Sequence, residues 1–280
     1  MKLGTLVRIP DMNRLDEVFQ PLNDLHFTSC QLAYKPPVFL REEAEAIRAA
    51  ADRHGIEISA HFIGHRDPFT IYDLRHGYCV NGISAPMFRA QRMEYLMQGI
   101  SFVRWLGIQD MIIHAGFISN NPFDSEYPSL VALIRLLGMH AKEQGIHLLF
   151  ETGAESAVAL LRLIEDADTG NLYVNLDTGN AIMYGYANPV DALYTYGQYV
   201  RNIHVKDGLP PTRGDTLGPE KPLGEGVVDF PRFMRKLRAL GYDRFLTIER
   251  EISGDQQRTD IAKARDYLMT LLDENGWKVC

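Results

Sequence analysis

The chain has 280 residues, 46% hydrophobic and 23% charged, enough apolar surface for one sizeable core. Its formal net charge of -7 argues against a partner gripped mainly through phosphates, nucleic acid above all, because such proteins carry a basic face. The composition excludes collagen, coiled coil and disorder. No apolar run reaches membrane-spanning length, and MKLGTLVRIPDMNRLDEVF lacks the apolar core of a signal peptide. A cytoplasmic protein with no membrane partner is expected. Cys30, Cys79 and Cys280 form no close pair and no zinc-ribbon spacing, so they read as free thiols.

Taken in chain order, LGTLVR from Leu3 and HFTSCQL from His26 read as the first two strands. REEAEAIRAAADRHG is an amphipathic helix stopped by Gly55, and IEISAHF from Ile56 follows as strand three. A long interruption from Phe62 to Pro86 carries His65, Arg66, Tyr72, His76 and Tyr78; a loop of that length reads as a lid or substrate wall. DMIIHAG from Asp110 is strand four. LVALIRLLGMHAKEQG then ends a helix at Gly145, and IHLLFE from Ile146 and LYVNLD from Leu172 are strands five and six. VRNIHVKD from Val200 is strand seven, FPRFMRKLRALG a helix stopped by Gly241, and RFLTIERE from Arg244 strand eight. Several of these strands are rich in Ile, Leu and Val with little alternation, as strands covered on both faces should be. Eight strands alternating with helices fit a closed barrel or an open doubly wound sheet. No GxGxxG follows the first strand and no GxxxxGK[ST] occurs. The expectation is an α/β fold, a single-domain (β/α)8 barrel over residues 1–280.

The residues closing the strands carry the chemistry. The C-terminal strand ends of such a barrel form its active face. Here Glu151, Asp177, His204 and Glu249 close strands five to eight, while His61 and His114 close strands three and four. One strand-end carboxylate is usually a helix cap or a turn residue. Four acidic or imidazole groups in succession are a different matter, since buried carboxylates repel one another unless a cation or protons intervene. Three carboxylates and an imidazole suit one divalent ion, Mn2+ or Mg2+ foremost, with Co2+ and Zn2+ also compatible.

FETGAESA, VNLDTGNAIMYGYANPVDAL, VRNIHVKD, PLGEGVVDFPRF and LTIERE together resemble the sugar phosphate isomerase/epimerase family. That group of xylose isomerase-like barrels also holds ketose 3-epimerases, inosose-processing enzymes and endonuclease IV. The resemblance is carried by motifs of the C-terminal half. It implies that Glu151, Asp177, His204 and Glu249 are the metal ligands and that Glu151 and Glu249 are also the catalytic acid/base pair. Such enzymes take a proton from the carbon next to a carbonyl, and a Lewis acid stabilises the resulting enediolate. One glutamate removes the proton and a second returns one. His61, His114, Glu155, Asn180 and Lys206 are the candidate substrate-binding groups. Four of them also have a structural reading: a satisfied histidine for His61 and His114, a first-turn acid for Glu155, an ion pair for Lys206. Asp207 is expected to orient His204 or cap the following turn. Arg213 and Lys221 are expected in solvent.

The expected function is therefore a metal-dependent isomerase or epimerase of a keto-sugar, sugar phosphate or cyclic polyol. The alternative is a dehydratase of an inosose or 3-dehydroshikimate type on the same site. An endonuclease IV-like hydrolase is disfavoured, because the extra zinc ligands of that branch are replaced here by Asn180, Gly218 and Glu220. The expected partner is a small sugar or polyol, and homo-oligomerisation is left open.

Overall fold

Eight strands carry the architecture: β1 (Lys2–Arg8), β2 (Ser29–Ala33), β3 (Glu57–Phe62), β4 (Asp110–Ile113), β5 (His147–Glu151), β6 (Leu172–Asp177), β7 (Val200–Val205) and β8 (Phe245–Ile248). In the computed structural model, which describes residues 1–73 and 78–277, they pair in parallel and in chain order. β8 returns to β1, closing a (β/α)8 barrel. The helices are α1 (Leu15–Asp24), α2 (Arg41–Arg53), α3 (Arg89–Leu106), α4 (Tyr127–Glu143), α5 (Ala157–Ala167), α6 (Thr178–Met183), α7 (Pro189–Tyr196), α8 (Phe230–Ala239) and α9 (Asp255–Glu274). The glycines expected to stop α2, α4 and α8 do so. Gly55, Gly145 and Gly241 have φ of 65°, 74° and 70°, a left-handed conformation that other residues adopt at a cost.

Two apolar layers follow from strand alternation. One lies between barrel and helices and takes Leu32, Phe102, Leu148, Phe150 and Leu176. The other fills the barrel itself: Ala60, Ile112 and Leu149, all fully buried, with Phe62 and Tyr173 against them. The inner layer is a plug, as expected of a barrel of this size. Deleting one such side chain, as in Leu149→Ala, costs about 2–5 kcal/mol. Polar groups above the plug face the mouth.

A bulge in β3 decides one functional expectation. The β2–β3 register passes from Cys30↔Ile58 to Gln31↔Ala60, leaving Ser59 as the extra residue. Ser59 Oγ accepts from Asn202 at 3.3 Å, while Ala60 also belongs to the inner layer. With two consecutive residues turned inward, the next one, His61, faces the helices.

The long interruption after β3 forms a small antiparallel ribbon, Ile71–Asp73 with Tyr78–Val80. The Tyr72 ring stands edge-on to Tyr184 at 5.3 Å, which puts this segment beside the end of α6 as a wall of the mouth. His76, Cys280 and the side chains of Tyr78 and Cys79 lie outside the described residues. Cys30 is a buried free thiol. Among the described residues no helix is long and apolar enough to cross a membrane.

Candidate metal centre

The barrel register brings the four expected ligands together. Asp177 pairs with His204 across β6 and β7, Glu151 ends β5 beside Asn175, and Glu249 follows β8 with its N–H donating to Val205 O at 3.2 Å. One ligand atom from each of Glu151, Asp177, His204 and Glu249 lies within 4.8 Å of all the others. All four are buried, Asp177 and His204 completely.

His204 Nδ1 is the nitrogen that faces this cluster, 2.8 Å from Glu151 Oε1 and 3.2 Å from Glu249 Oε2. Its other nitrogen is fixed from below. Asn175 Nδ2 donates to Glu151 Oε2, and a carboxylate oxygen only accepts, so the Asn175 amide has one orientation. Asn175 Oδ1 then accepts from Gln31 Nε2 at 3.1 Å, which turns Gln31 Oε1 toward His204 Nε2. Nε2 must carry a proton, and Nδ1 is the nitrogen left for an ion. Gln31 and Asn175, both fully buried, were not singled out in the sequence. Their signal was faint: uncharged amides at inward positions of otherwise apolar strands.

Asp177 serves two purposes with two oxygens. Oδ1 caps α6 by accepting from the Asn180 N–H at 2.7 Å. Oδ2 is buried without a hydrogen bond, 3.3 Å from Lys206 Nζ. Lys206 is buried among carboxylates, 2.9 Å from Glu249 Oε2 and 3.0 Å from Glu251 Oε2, and also donates to Asn180 Oδ1 at 3.3 Å. Its stem crosses Gly179, where a Cβ would stand 2.5 Å from Lys206 Cγ; the glycine of the DTGN stretch gives the lysine passage.

Electrostatics set these groups against each other. Burial pushes the Glu151 and Asp177 carboxyls up, Asp177 strongly. Burial acts the same way on Glu249, but Lys206 and His204 outweigh it and hold Glu249 well below the usual carboxylate range. Burial works against charge on His204 and Lys206 too, yet the surrounding carboxylates leave both well above their ordinary values. Burial thus works against holding three carboxylate charges here, a cost that a bound cation would offset. An orphaned carboxylate oxygen, raised carboxyls and an oxygen-rich donor set with one imidazole all fit a hard divalent cation held by Glu151, Asp177, His204 and Glu249.

The remaining expectations separate. His114 follows β4 at the mouth, its ring edge-on to Phe62 at 5.3 Å, and burial, then Lys35, push its pKa down to about 3. His61 is not brought to the site. Its ring packs on Phe102 and Phe39 in the helix layer, its Nε2 meets Tyr34 O at 3.0 Å, and burial lowers its pKa to about 4. The β3 bulge is the physical reason. Glu155 is buried and folds back onto its own loop, accepting from the Gly153 N–H at 3.2 Å; burial raises its pKa to about 8. Asn180 bridges Lys206 and the Thr152 carbonyl. Asp207 accepts the N–H groups of Gly208, Gly224, Gly226 and Val228, so the LGEG stretch is the wrap around that carboxylate. Arg213 is exposed and pairs with Asp215, whereas Lys221 is half-buried opposite Asp207 in a two-residue ladder.

The chain matches the family model described as the xylose isomerase-like TIM barrel over residues 19–271. It is similar to the solved structure of a xylose isomerase domain protein from Planctomyces limnophilus, at 31% identity and TM-score 0.86, covering 98% of this chain and 97% of that one. A 3-keto-D-glucoside 4-epimerase from E. coli has a similar structure at 17% identity and TM-score 0.71, covering 98% and 99%; that likeness shows the fold alone. An inosose dehydratase from Geobacillus kaustophilus is 29% identical over 144 residues, 46% of each chain. The match thus spans about half the length of that curated relative.

Proposed function

The chain belongs to the xylose isomerase-like TIM barrel family, and from that premise we propose that it is a metal-dependent isomerase or epimerase of a keto-sugar, sugar phosphate or cyclic polyol. The observation that carries this reading is the pair of glutamates converging on one nitrogen of His204 within a buried four-ligand cluster. Glu151, Asp177, His204 and Glu249 would hold a divalent ion, Mn2+ or Mg2+, which would supply Lewis-acid stabilisation of charge developing on the substrate oxygens.

The side chains perform the proton work. Glu151 from the end of β5 and Glu249 from just beyond β8, with β6 and β7 between them, present a carboxyl each to a bound α-carbon, one to accept its proton and one to return a proton. Lys206 holds Glu249 ionised through its 2.9 Å contact. Gln31 and Asn175 keep His204 in the tautomer that leaves Nδ1 free.

The test is solvent deuterium uptake at the carbon next to the carbonyl, across a panel of ketoses and inososes with the manganese-loaded protein. Glu249→Gln abolishes uptake while the protein remains folded; wild-type-like exchange in that variant overturns the assignment. A second reading, dehydration of an inosose-like substrate, draws support from the inosose dehydratase relative. It shares proton abstraction and differs in the fate of the β-hydroxyl, so a product lighter by one water selects it over isomerisation.

A further inference from the structure

One triplet, carboxylate then threonine then glycine, closes two adjacent strands. Glu151, Thr152 and Gly153 leave β5, and Asp177, Thr178 and Gly179 leave β6. Each carboxylate belongs to the candidate metal centre, and each threonine is buried, Thr178 completely. The last backbone rung between β5 and β6 runs from the Thr152 N–H to the Asn175 carbonyl at 3.2 Å. A parallel ladder would next send the Asp177 N–H to the Thr152 carbonyl. Here that carbonyl accepts from Asn180 Nδ2 at 3.2 Å, and the Thr152 hydroxyl takes the Asp177 N–H instead. The β6–β7 pair ends the same way. Thr178 opens α6, and its hydroxyl takes the Lys206 N–H where a strand would offer a carbonyl.

Both hydroxyls spend their donor and an acceptor lone pair on a single residue. Thr152 Oγ1 accepts from the Asp177 N–H at 2.9 Å and donates to the Asp177 carbonyl at 3.3 Å. Thr178 Oγ1 accepts from the Lys206 N–H at 3.1 Å and donates to the Lys206 carbonyl at 2.6 Å, with the His204 carbonyl 3.4 Å away. By contrast, the buried hydroxyls of Ser29 and Thr5 each make one bond to a carbonyl, Leu3 at 3.1 Å and Ile248 at 2.8 Å. The brackets thus run in series. Thr152 ties the end of the Glu151 strand to Asp177, and Thr178 ties the end of the Asp177 strand to the segment carrying His204 and Lys206.

We propose that Thr152 and Thr178 are positioning residues whose hydroxyls fix the spacing of Glu151, Asp177 and His204, and so the size of the ion that these ligands accept. The inference rests on the metal reading of the cluster. Loss of one hydroxyl leaves a buried backbone N–H without that partner, and the strand end shifts to find another. The shift moves a carboxylate without removing it, so the consequence is in fit. Mg2+ demands oxygens at about 2.1 Å in near-ideal octahedral geometry, whereas Ca2+ takes them at about 2.3–2.6 Å in flexible arrangements. A cluster with loosened spacing therefore loses the smaller ion first.

Calorimetric titration with Mg2+ and with Ca2+ tests this on wild type, Thr152→Val, Thr178→Val and the two matching serine variants. Valine keeps the branched shape and lacks the hydroxyl; serine keeps the hydroxyl and lacks the methyl group. In either valine variant Mg2+ affinity falls about tenfold and Ca2+ affinity falls less, so the ratio of the two drops, while both serine variants retain the wild-type ratio. Ser29→Ala, which loses a buried hydroxyl bond at the start of β2, lowers the melting temperature and leaves the ratio unchanged. A ratio that holds in the valine variants, or that falls equally in Ser29→Ala, overturns the inference while the metal reading stands. The serine arm needs no valine protein: a serine variant whose ratio falls overturns the inference by itself. Wild type that binds neither ion sinks the metal reading, and the inference with it.

Discussion

The two ends of the barrel hold charged clusters of similar composition and opposite character. At the floor, buried Asp110 accepts from Arg201 Nε at 2.7 Å and from Arg244 Nη2 at 3.3 Å, with His147 Nδ1 at 3.0 Å. Arg201 also lies over the Tyr173 ring, 5.1 Å from its centroid. One carboxylate there meets two guanidinium groups that reach solvent, so its charge is fully answered. At the mouth, Glu151, Asp177 and Glu249 share Lys206 and His204, and Asp177 Oδ2 is left without a hydrogen bond. Burial alone therefore does not mark a functional cluster. The uncompensated Asp177 oxygen is the difference, and buried charge left unpaired in this way clusters at functional sites.

The largest effect that breaks or sharpens this contrast is at Asp177. Asp177→Asn keeps the helix cap, since the amide oxygen still accepts from Asn180. It removes the orphaned oxygen, so metal affinity falls at least a hundredfold while the metal-free melting temperature stays level or rises. A metal titration and a melt on the same sample measure both, and a lower melting temperature without metal would contradict the imbalance.

Glu155 is the next case, a buried carboxyl with no cation in ion-pair reach among the described residues. Its pKa is about 8 when folded against an ordinary 4.5, so the folded state binds the extra proton between those values. Stability is lost progressively as pH rises from about 4.5 to 8. Glu155→Gln flattens that loss and gains on the order of a few kcal/mol at pH 8, read as melting temperature against pH.

Asp110→Asn tests the balanced cluster. Loss of the charge facing two partly exposed arginines costs about 2 kcal/mol, below the figure for a fully buried pair, and leaves metal affinity within twofold. Gln31→Leu acts in the other direction. The His204 Nε2–H and the Asn175 amide lose their partner, and metal affinity drops about tenfold, with a mixture of imidazole tautomers visible by nitrogen-15 NMR of His204. A single Nδ1-free tautomer in that variant would remove Gln31 from its positioning role.

Much of the fold was legible because the barrel repeats one local rule. Apolar strand, polar loop, amphipathic helix and stopping glycine can all be read within a window of about thirty residues, and Gly55, Gly145 and Gly241 fall where that rule puts them. Gathering Glu151, Asp177, His204 and Glu249 into one pocket was legible for a related reason. Consecutive parallel strands that end in inward polar residues must converge when the sheet closes. His61 shows where that reading fails. Its strand-end position matches the others, but one extra residue at Ser59 reverses the face of everything after it, and nothing local in EISAHF announces a bulge.

The amino-acid sequence by itself determined the element order, the barrel class and the residue types of the strand-end cluster, since periodicity and strand-end chemistry are local properties. Only the tertiary structure decided which nitrogen of His204 faces the cluster and which oxygen of Asp177 is spent on a cap. These are long-range facts: the hydrogen bond from His204 to Gln31 spans 173 positions of the chain. Whether a buried charge is balanced depends on every neighbour that closure of the barrel brings to it.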